Sequence, residues 1–162
     1  MRMGPLPQTK LLLAGMSLLS IIALTVAPVP GAAEEALPRT IEIHQTACQF
    51  TEPEGGDQKF SASSFDACEA FNEKSGDTRL SKAVPLKLAP GAYTFRVYND
   101  DVPYTLGFWL RGSGLGRVTL PSVSGGGIEA GGFREYAIDL RAGEYRYSCP
   151  LNPTPDYVLL VE

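Results

Sequence analysis

The chain has 162 residues and carries 14 Lys and Arg against 18 Asp and Glu, a formal net charge of −4. Residues 1–33 hold two basic residues and no acidic one, so the remainder carries 12 basic and 18 acidic residues, a net charge of −6. An acidic balance without a basic run argues against nucleic acid as a partner, and against electrostatic docking on anionic lipid, because phosphate groups need a positive footprint.

The N-terminal segment has the three marks of an export leader. Arg2 and Lys10 supply positive charge, and Leu11–Val29 follows without a charged residue. The small residues Gly31-Ala32-Ala33 then fit cleavage after Ala33. We therefore predict a signal peptide over residues 1–33 and a periplasmic or exported protein.

An uncleaved anchor is the alternative for the same segment. A signal core has about 7–15 apolar residues and a membrane span about 20, and this run lies between those limits. On this alternative, residues 11–30 anchor the protein in the inner membrane. In either case we expect residues 34–39 to be a linker and residues 40–162 to be one domain, long enough for a core.

The domain is predicted to be rich in short β-strands. Thr40–His44 and Glu144–Cys149 alternate apolar and polar residues, as half-buried strands do. The predicted strands are 40–44, 86–88, 92–99, 104–110, 117–120, 133–140, 144–149 and 157–162. Gly107 is expected to mark a bulge, and Ser124–Gly127 a flexible loop. About seven or eight strands separated by turn signals predict an all-β Greek-key sandwich.

Residues 51–84 interrupt the strand pattern and are predicted to be an insertion with one short helix. Asp66 and Glu69 form a capping-box pattern, and Phe65 precedes it as a hydrophobic staple. Cys68 lies at helical spacing from Phe65, and Gly76 can end the helix. We expect a helix over roughly 66–74 with Cys68 on its inward face.

The chain has three cysteines, an odd number for an exported protein. Cys48 and Cys68 can form a disulfide that pins the insertion to the sandwich and leaves Cys149 free. Alternatively, Cys48 and Cys149 lie close together, either as a disulfide or as a two-thiolate site for a soft metal ion such as copper(I). The sequence leaves these arrangements open.

The C-terminal segment resembles the metal loop of cupredoxins. The strand Gly143–Ser148 leads into Cys149, a loop with three prolines follows, and Tyr157–Val161 closes the chain. The segments Ile41–Cys48 and Pro85–Asn99 also resemble cupredoxin strands. The chain is most similar to the cupredoxin domain of periplasmic elemental-iron-transport lipoproteins, over half to two thirds of residues 34–162.

This resemblance implies a metal-binding protein for copper or iron, in transport or handling. Cys48 and Cys149 match the two cysteine positions of that family, and His44 could complete the site. A type 1 copper centre is excluded, because it needs two histidines and one cysteine. His44 is the only histidine, and the loop from Pro150 to Asp156 contains neither His nor Met.

The alternative is a metal-free accessory or interaction subunit of a membrane-bound complex or transporter on the periplasmic side. Prolines stiffen two loops at one end of a cupredoxin-like sandwich, which lowers the entropic cost of docking. The candidate partner-surface residues are Pro103, Tyr104, Pro153, Pro155 and Tyr157. No enzyme is expected, because no nucleophile pattern accompanies His44.

Overall fold

The computed structural model describes Met1, Gly4 and residues 37–162. The described residues from 37 onward belong to one compact unit. The predicted signal peptide or anchor over residues 1–33, and the first half of the predicted linker, lie outside these described residues apart from Met1 and Gly4. Within the described part of the chain, no helix has both the length and the apolar character needed to cross a bilayer.

The secondary structure of residues 37–162 comprises nine strands, two α-helices and one 3₁₀ helix. The 3₁₀ helix is Glu52–Glu54, and the α-helices are α1 Phe65–Leu80 and α2 Gly116–Thr119. The strands are β1 Arg39–Thr46, β2 Gln49–Phe50, β3 Leu86–Leu88, β4 Gly91–Asn99, β5 Leu106–Gly112, β6 Val123–Ile128, β7 Phe133–Leu140, β8 Gly143–Ser148 and β9 Tyr157–Val161.

The strands form two sheets, which confirms the predicted all-β sandwich with an inserted helix. One sheet has the order β2-β1-β4-β7 and the other β3-β9-β8-β5-β6. Along β4, alternate side chains point into the core, including Tyr93, Phe95 and Val97. Phe108 from β5 packs on Phe95 with ring centroids 5.8 Å apart. Full burial of each such side chain contributes about 1.5–3 kcal/mol, so these aromatic residues hold the two sheets together.

Helix α1 is longer than predicted and begins at a different cap. Ser64 is the N-cap, and its hydroxyl accepts a hydrogen bond from the backbone N–H of Ala67 at 3.3 Å. Asp66, which the capping-box pattern assigned to this role, lies inside the first turn. Gly76 does not end the helix, which continues to Leu80. The prediction of an inward-facing Cys68 is confirmed, since this residue is fully buried.

Two segments between β5 and β7 differ from expectation. Residues 117–120, predicted as a strand, lie mostly in α2, and the glycine-rich loop predicted at Ser124–Gly127 is part of strand β6. Strand β6 pairs with β5, and the register shifts beside Gly107, which confirms the predicted bulge. A Cβ atom at Gly107 would lie 2.9 Å from the Gly125 carbonyl oxygen. The missing side chains therefore allow the two backbones to approach closely.

Strand β6 is the edge of its sheet, and two side chains of β7 donate hydrogen bonds to its backbone. The Tyr136 hydroxyl donates to the Gly125 carbonyl at 3.2 Å. The Arg134 guanidinium donates to the Gly127 carbonyl at 2.9 Å. These two contacts also connect the two sheets along one side of the sandwich.

The strand directions give the sandwich two distinct ends. We call one of them the capped end. There β1 and β8 end near Cys48 and Cys149, and helix α1 is attached to the sandwich. At the opposite, basal end, the chain joins the sandwich through residues 37–39. The same end holds the α2 turn and the connection from Leu140 to Gly143, which links the two sheets.

Candidate functional site

The three cysteines all lie at the capped end, and two of them form a disulfide. Cys48, in the turn between β1 and β2, is bonded to Cys68 in helix α1, with the two Cα atoms 5.0 Å apart. This confirms the first of the predicted cysteine arrangements. Cys149 is free, as that arrangement predicted, and the structure shows that it is buried. The disulfide therefore fastens the inserted helix to the end of the sandwich.

Asn152, in the loop after β8, contacts all three cysteines. Its side-chain carbonyl accepts a hydrogen bond from the Cys48 backbone N–H at 2.9 Å and lies 3.2 Å from the Cys68 sulfur. Its backbone N–H donates to the Cys149 sulfur at 3.2 Å, and its amide group donates to the Thr46 carbonyl. Asn152 is fully buried, so this one residue joins the loop, the disulfide and the free thiol.

Cys149 sits in a closed pocket of backbone donors. Its sulfur accepts hydrogen bonds from the backbone N–H groups of Gly107, at 3.3 Å, and Asn152. Burial raises the pKa of the thiol, and the N–H donors oppose that rise because they favour the thiolate. With the side chain out of contact with solvent, the thiol is inert toward bulky reagents.

Helix α1 is held on the sandwich by a polar face. Cys68, Asn72 and Arg79 lie four and seven residues apart, which places them on one side of the helix. Asn72 contacts the carbonyl of Pro153 in the loop after β8. Arg79 donates to the carbonyl of Cys48 at 3.0 Å. The helix is thereby fixed to two separate loops of the capped end.

The Arg79 side chain is the centre of a largely buried charge network. Its guanidinium pairs with Glu54 at 2.6 Å, and these side chains are only 10% and 6% exposed. It also donates to the Tyr157 hydroxyl at 3.2 Å, and Tyr157 in turn contacts Glu54. The ring of Phe60 lies against the guanidinium at 4.6 Å. This network ties helix α1, the 3₁₀ helix and β9 together.

His44 lies on the other side of its sheet from Cys149. Alternation along β1 points Ile43 and Gln45 into the core and His44 outward. The imidazole stacks on Tyr98, with ring centroids 4.4 Å apart, and its Nδ1 lies 2.9 Å from an Asp100 carboxylate oxygen.

The three predicted metal ligands are therefore not brought together. The Cys48 sulfur is in the disulfide, Cys149 is in the core, and His44 faces away from both. Across residues 37–162, no group of three or more His, Cys, Asp or Glu side chains is arranged to hold a metal ion. In this oxidised form, the donor set does not fit a metal centre.

The predicted partner-surface residues divide into buried and exposed ones. Tyr157 and Pro155 are buried, which corrects the expectation that they lie on the surface. Tyr157 belongs to the aromatic core and packs against Tyr147 at 5.6 Å. Pro103 is exposed, and Tyr104 and Pro153 are partly exposed. Asn99 holds the Val102–Tyr104 turn through hydrogen bonds to Val102 and Tyr104.

Two surface grooves lie side by side at the capped end, one of them beside Pro103. The first, of about 360 Å³, lies between residues 60–63 and the Asp101–Pro103 turn. The second, of about 340 Å³, lies between residues 60–62 and the exposed side of helix α1. Phe60 lines both, and it is fixed by Phe71, whose ring centroid is 4.6 Å away. These grooves could not be predicted from the sequence, because Phe60 stands alone in a polar segment.

Comparisons with known proteins add no assignment to this geometry. No protein-family model matches the chain, and no curated protein matches it.

Proposed function

We propose that the chain is a non-catalytic, exported interaction module with a cupredoxin-like fold, metal-free in its oxidised form. It binds a partner protein of a membrane-bound complex through the capped end. The observation that carries this proposal is the attachment of helix α1. The disulfide takes up the Cys48 sulfur that a dithiol site would use, and the same helix forms one wall of an exposed groove.

The grooves have the properties of a docking surface rather than a metal site. Their shared wall, residues 60–62, is held by the contacts of Phe60 with Arg79 and Phe71, so little conformational entropy is lost on binding. Asp101 lines the first groove, Lys74 lines the second, and Asp66 and Glu69 are exposed nearby at the start of α1. A partner that complements the first groove carries a basic residue opposite Asp101 beside an apolar contact.

Site-specific photo-crosslinking on the native membrane tests this function. We expect a benzophenone side chain at Ala62, which lines both grooves, to give one discrete protein adduct. The same group at Ala137, exposed on the outer face of β7, serves as the matched control and should give none. Asp101→Arg should weaken the Ala62 adduct by charge reversal. An absence of adducts at Ala62, or identical patterns at both positions, would contradict the proposal.

A second candidate function is metal handling by the reduced protein, and the contacts of Asn152 favour it. Asn152 bonds to the Cys48 backbone and to the Cys149 sulfur and lies beside the Cys68 sulfur, so reduction of the disulfide would leave three thiols near this one residue. Thiolates suit copper(I) or another soft ion. The role that the family resemblance suggests, in copper or iron transport, would then depend on a reductant.

Copper(I) titration of the oxidised and the reduced protein separates the two functions. The interaction module predicts no stoichiometric uptake by the oxidised protein. Metal handling predicts one equivalent bound by the reduced protein, with loss of that uptake in both Cys149→Ser and Cys48→Ser. If the reduced Cys149→Ser and Cys48→Ser variants bind as much copper(I) as the reduced wild type, the metal role is ruled out.

A further inference from the structure

The basal end of the sandwich carries two aliphatic side chains that contact almost nothing. Leu115 is 89% exposed and Val118 is 87% exposed, and both belong to the turn around helix α2. A spacing of three residues on a helical turn places them side by side. Isolated exposed apolar residues are ordinary on protein surfaces, but a pair at the tip of a projecting turn is a feature of docking sites.

The turn that presents this pair is well fixed. The backbone N–H of Gly116 donates to the Ser113 carbonyl at 2.8 Å, and that of Leu120 donates to the Gly116 carbonyl at 2.9 Å. Leu120 packs against the core, and the Arg141 guanidinium donates to the Thr119 carbonyl at 2.7 Å. The pair is therefore held outward by an ordered backbone, and it does not fold back onto the sandwich.

The position of the α2 turn in the fold indicates which surface it can contact. The chain joins the sandwich at this same end, through residues 37–39, and Leu37 is itself highly exposed. The uncharged apolar run Leu11–Val29 precedes it. Seven residues lie between Val29 and Leu37, and the eight Cα-to-Cα steps of an extended chain reach at most about 28 Å. A bilayer that holds this run is thus within a short tether of the basal end.

The local charge at the basal end also favours a lipid surface. Arg117 and Arg141 are exposed here, and neither forms an ion pair with any described residue. The carboxylates of Glu144 and Glu162 are occupied by Arg146 and Lys87. Asp139, near the end of β7, is also exposed, so the apolar pair lies beside two arginines within a surface of mixed charge, and the net charge of −6 over residues 34–162 does not describe this end. Arginines beside exposed aliphatic residues suit lipid phosphates above acyl chains.

We propose that the α2 tip, defined as residues 115–118 together with Arg141, inserts into the interfacial region of the bilayer that holds Leu11–Val29. The basal end then rests on the membrane, and the capped end projects away from it. This inference rests on the uncleaved-anchor alternative for residues 11–30 and on the membrane-side location in the proposed function, but not on the identity of any protein partner.

Fluorescence quenching by lipid tests the insertion in the full-length chain. Leu115→Cys would be labelled with an environment-sensitive fluorophore, with the chain reconstituted in nanodiscs of mixed zwitterionic and anionic phospholipid. Cys149 is buried and stays unlabelled under native conditions. Ser61→Cys, exposed at the capped end, is the matched control. We expect spin-labelled lipid to quench the label at position 115 and shift its emission to the blue, and to leave the label at position 61 unchanged.

Two further arms make the test decisive. Val118→Cys repeats the measurement at a second position, and Arg117→Gln with Arg141→Gln should reduce quenching on anionic lipid but not on zwitterionic lipid. Equal emission from positions 115, 118 and 61 in nanodiscs would overturn the proposal. So would shielding of position 115 that arises only after membrane proteins are added, because it would assign the tip to a protein partner. Crosslinking at Ala62 is independent of these results, so failure of one proposal is distinguishable from failure of the other.

Discussion

The capped end and the basal end are stabilised by different kinds of interaction. The capped end is closed by a disulfide, a buried ion pair and the hydrogen bonds of Asn152. The basal end is closed by short turns whose backbone bonds are local, and it leaves Leu115 and Val118 exposed. The insertion therefore closes the capped end with tertiary contacts, while the basal end is closed by local turns alone. Changes at the capped end should therefore affect stability far more than changes elsewhere on the surface.

The largest effect is expected for Arg79→Ala. Removal of the guanidinium leaves the buried Glu54 carboxylate without its cation, which costs about 3–5 kcal/mol. Urea unfolding followed by fluorescence would measure the loss. The matched control is Arg96→Ala on the outer face of the other sheet, where the partners Glu42 and Glu135 are exposed. A similar loss in both variants would contradict the distinction between buried and exposed pairs.

The next effect in size is expected for removal of the disulfide. Cys48 and Cys68 are 20 residues apart in the sequence. A cross-link over a loop of that size stabilises by about 3 kcal/mol, mainly through the entropy of the unfolded chain. The double substitution Cys48→Ala with Cys68→Ala should lower the urea midpoint by a corresponding amount. It should also open Cys149 to alkylation, which mass spectrometry would detect; continued protection of Cys149 would show that Asn72 and Arg79 suffice to hold the helix.

A smaller effect concerns pH and the buried thiol. Because burial raises the pKa of Cys149, the unfolded chain releases this proton at about pH 8.5, while the folded protein still keeps it. The unfolded state is therefore favoured as pH rises, and stability should fall as pH rises above about 8, until the folded thiol ionises as well. Unfolding midpoints of the wild type and of Cys149→Ser across this range would measure it. An equal decline in both proteins would assign the pH dependence to other groups.

The smallest effect is a gain at Gly76→Ala. The backbone at Gly76 is helical, and a Cβ atom there would meet no atom within 4 Å. Alanine should stabilise helix α1 by about 0.5–1 kcal/mol, because glycine loses more conformational freedom on folding. Thermal unfolding would register this as a small rise in Tm. A loss of stability would show that the helix bends at this residue.

The strand framework could be predicted from the sequence, because alternation reports directly which face of a strand is buried. Strands near Thr40, Phe95, Tyr136 and Tyr145 all follow this pattern. Strand β6 could not be predicted, since its glycines have no side chains to alternate, and pairing with β5 alone makes it a strand. The prediction of a strand at residues 117–120 was wrong for a related reason. Leu115 and Val118 are apolar and so resemble core residues in the sequence, but both are exposed on the α2 turn.

The capped end was predictable only in part. The Cys48–Cys68 pair with a free Cys149 was one of the arrangements that the odd number of cysteines left open, and sequence alone could not choose between them. The length of α1 was underestimated, since its attached face consists of Cys68, Asn72 and Arg79 rather than apolar residues. Hydrophobic periodicity carries no signal for such a face. The Arg79–Glu54 pair spans 25 residues, and no local pattern connects them.

The contact of Arg134 with strand β6 has a consequence for the behaviour of the protein at high concentration. An uncovered, flat, glycine-rich strand at the edge of a sheet offers its backbone groups to the same strand of a neighbouring molecule. The exposed Arg134 guanidinium, which donates to the Gly127 carbonyl, places a positive charge beside this strand, and charged side chains discourage such pairing. The value of this contact to a single molecule is modest, since it is one hydrogen bond near the surface. In a crowded solution the charge has a second effect, because we expect it to hinder edge-to-edge association of folded molecules.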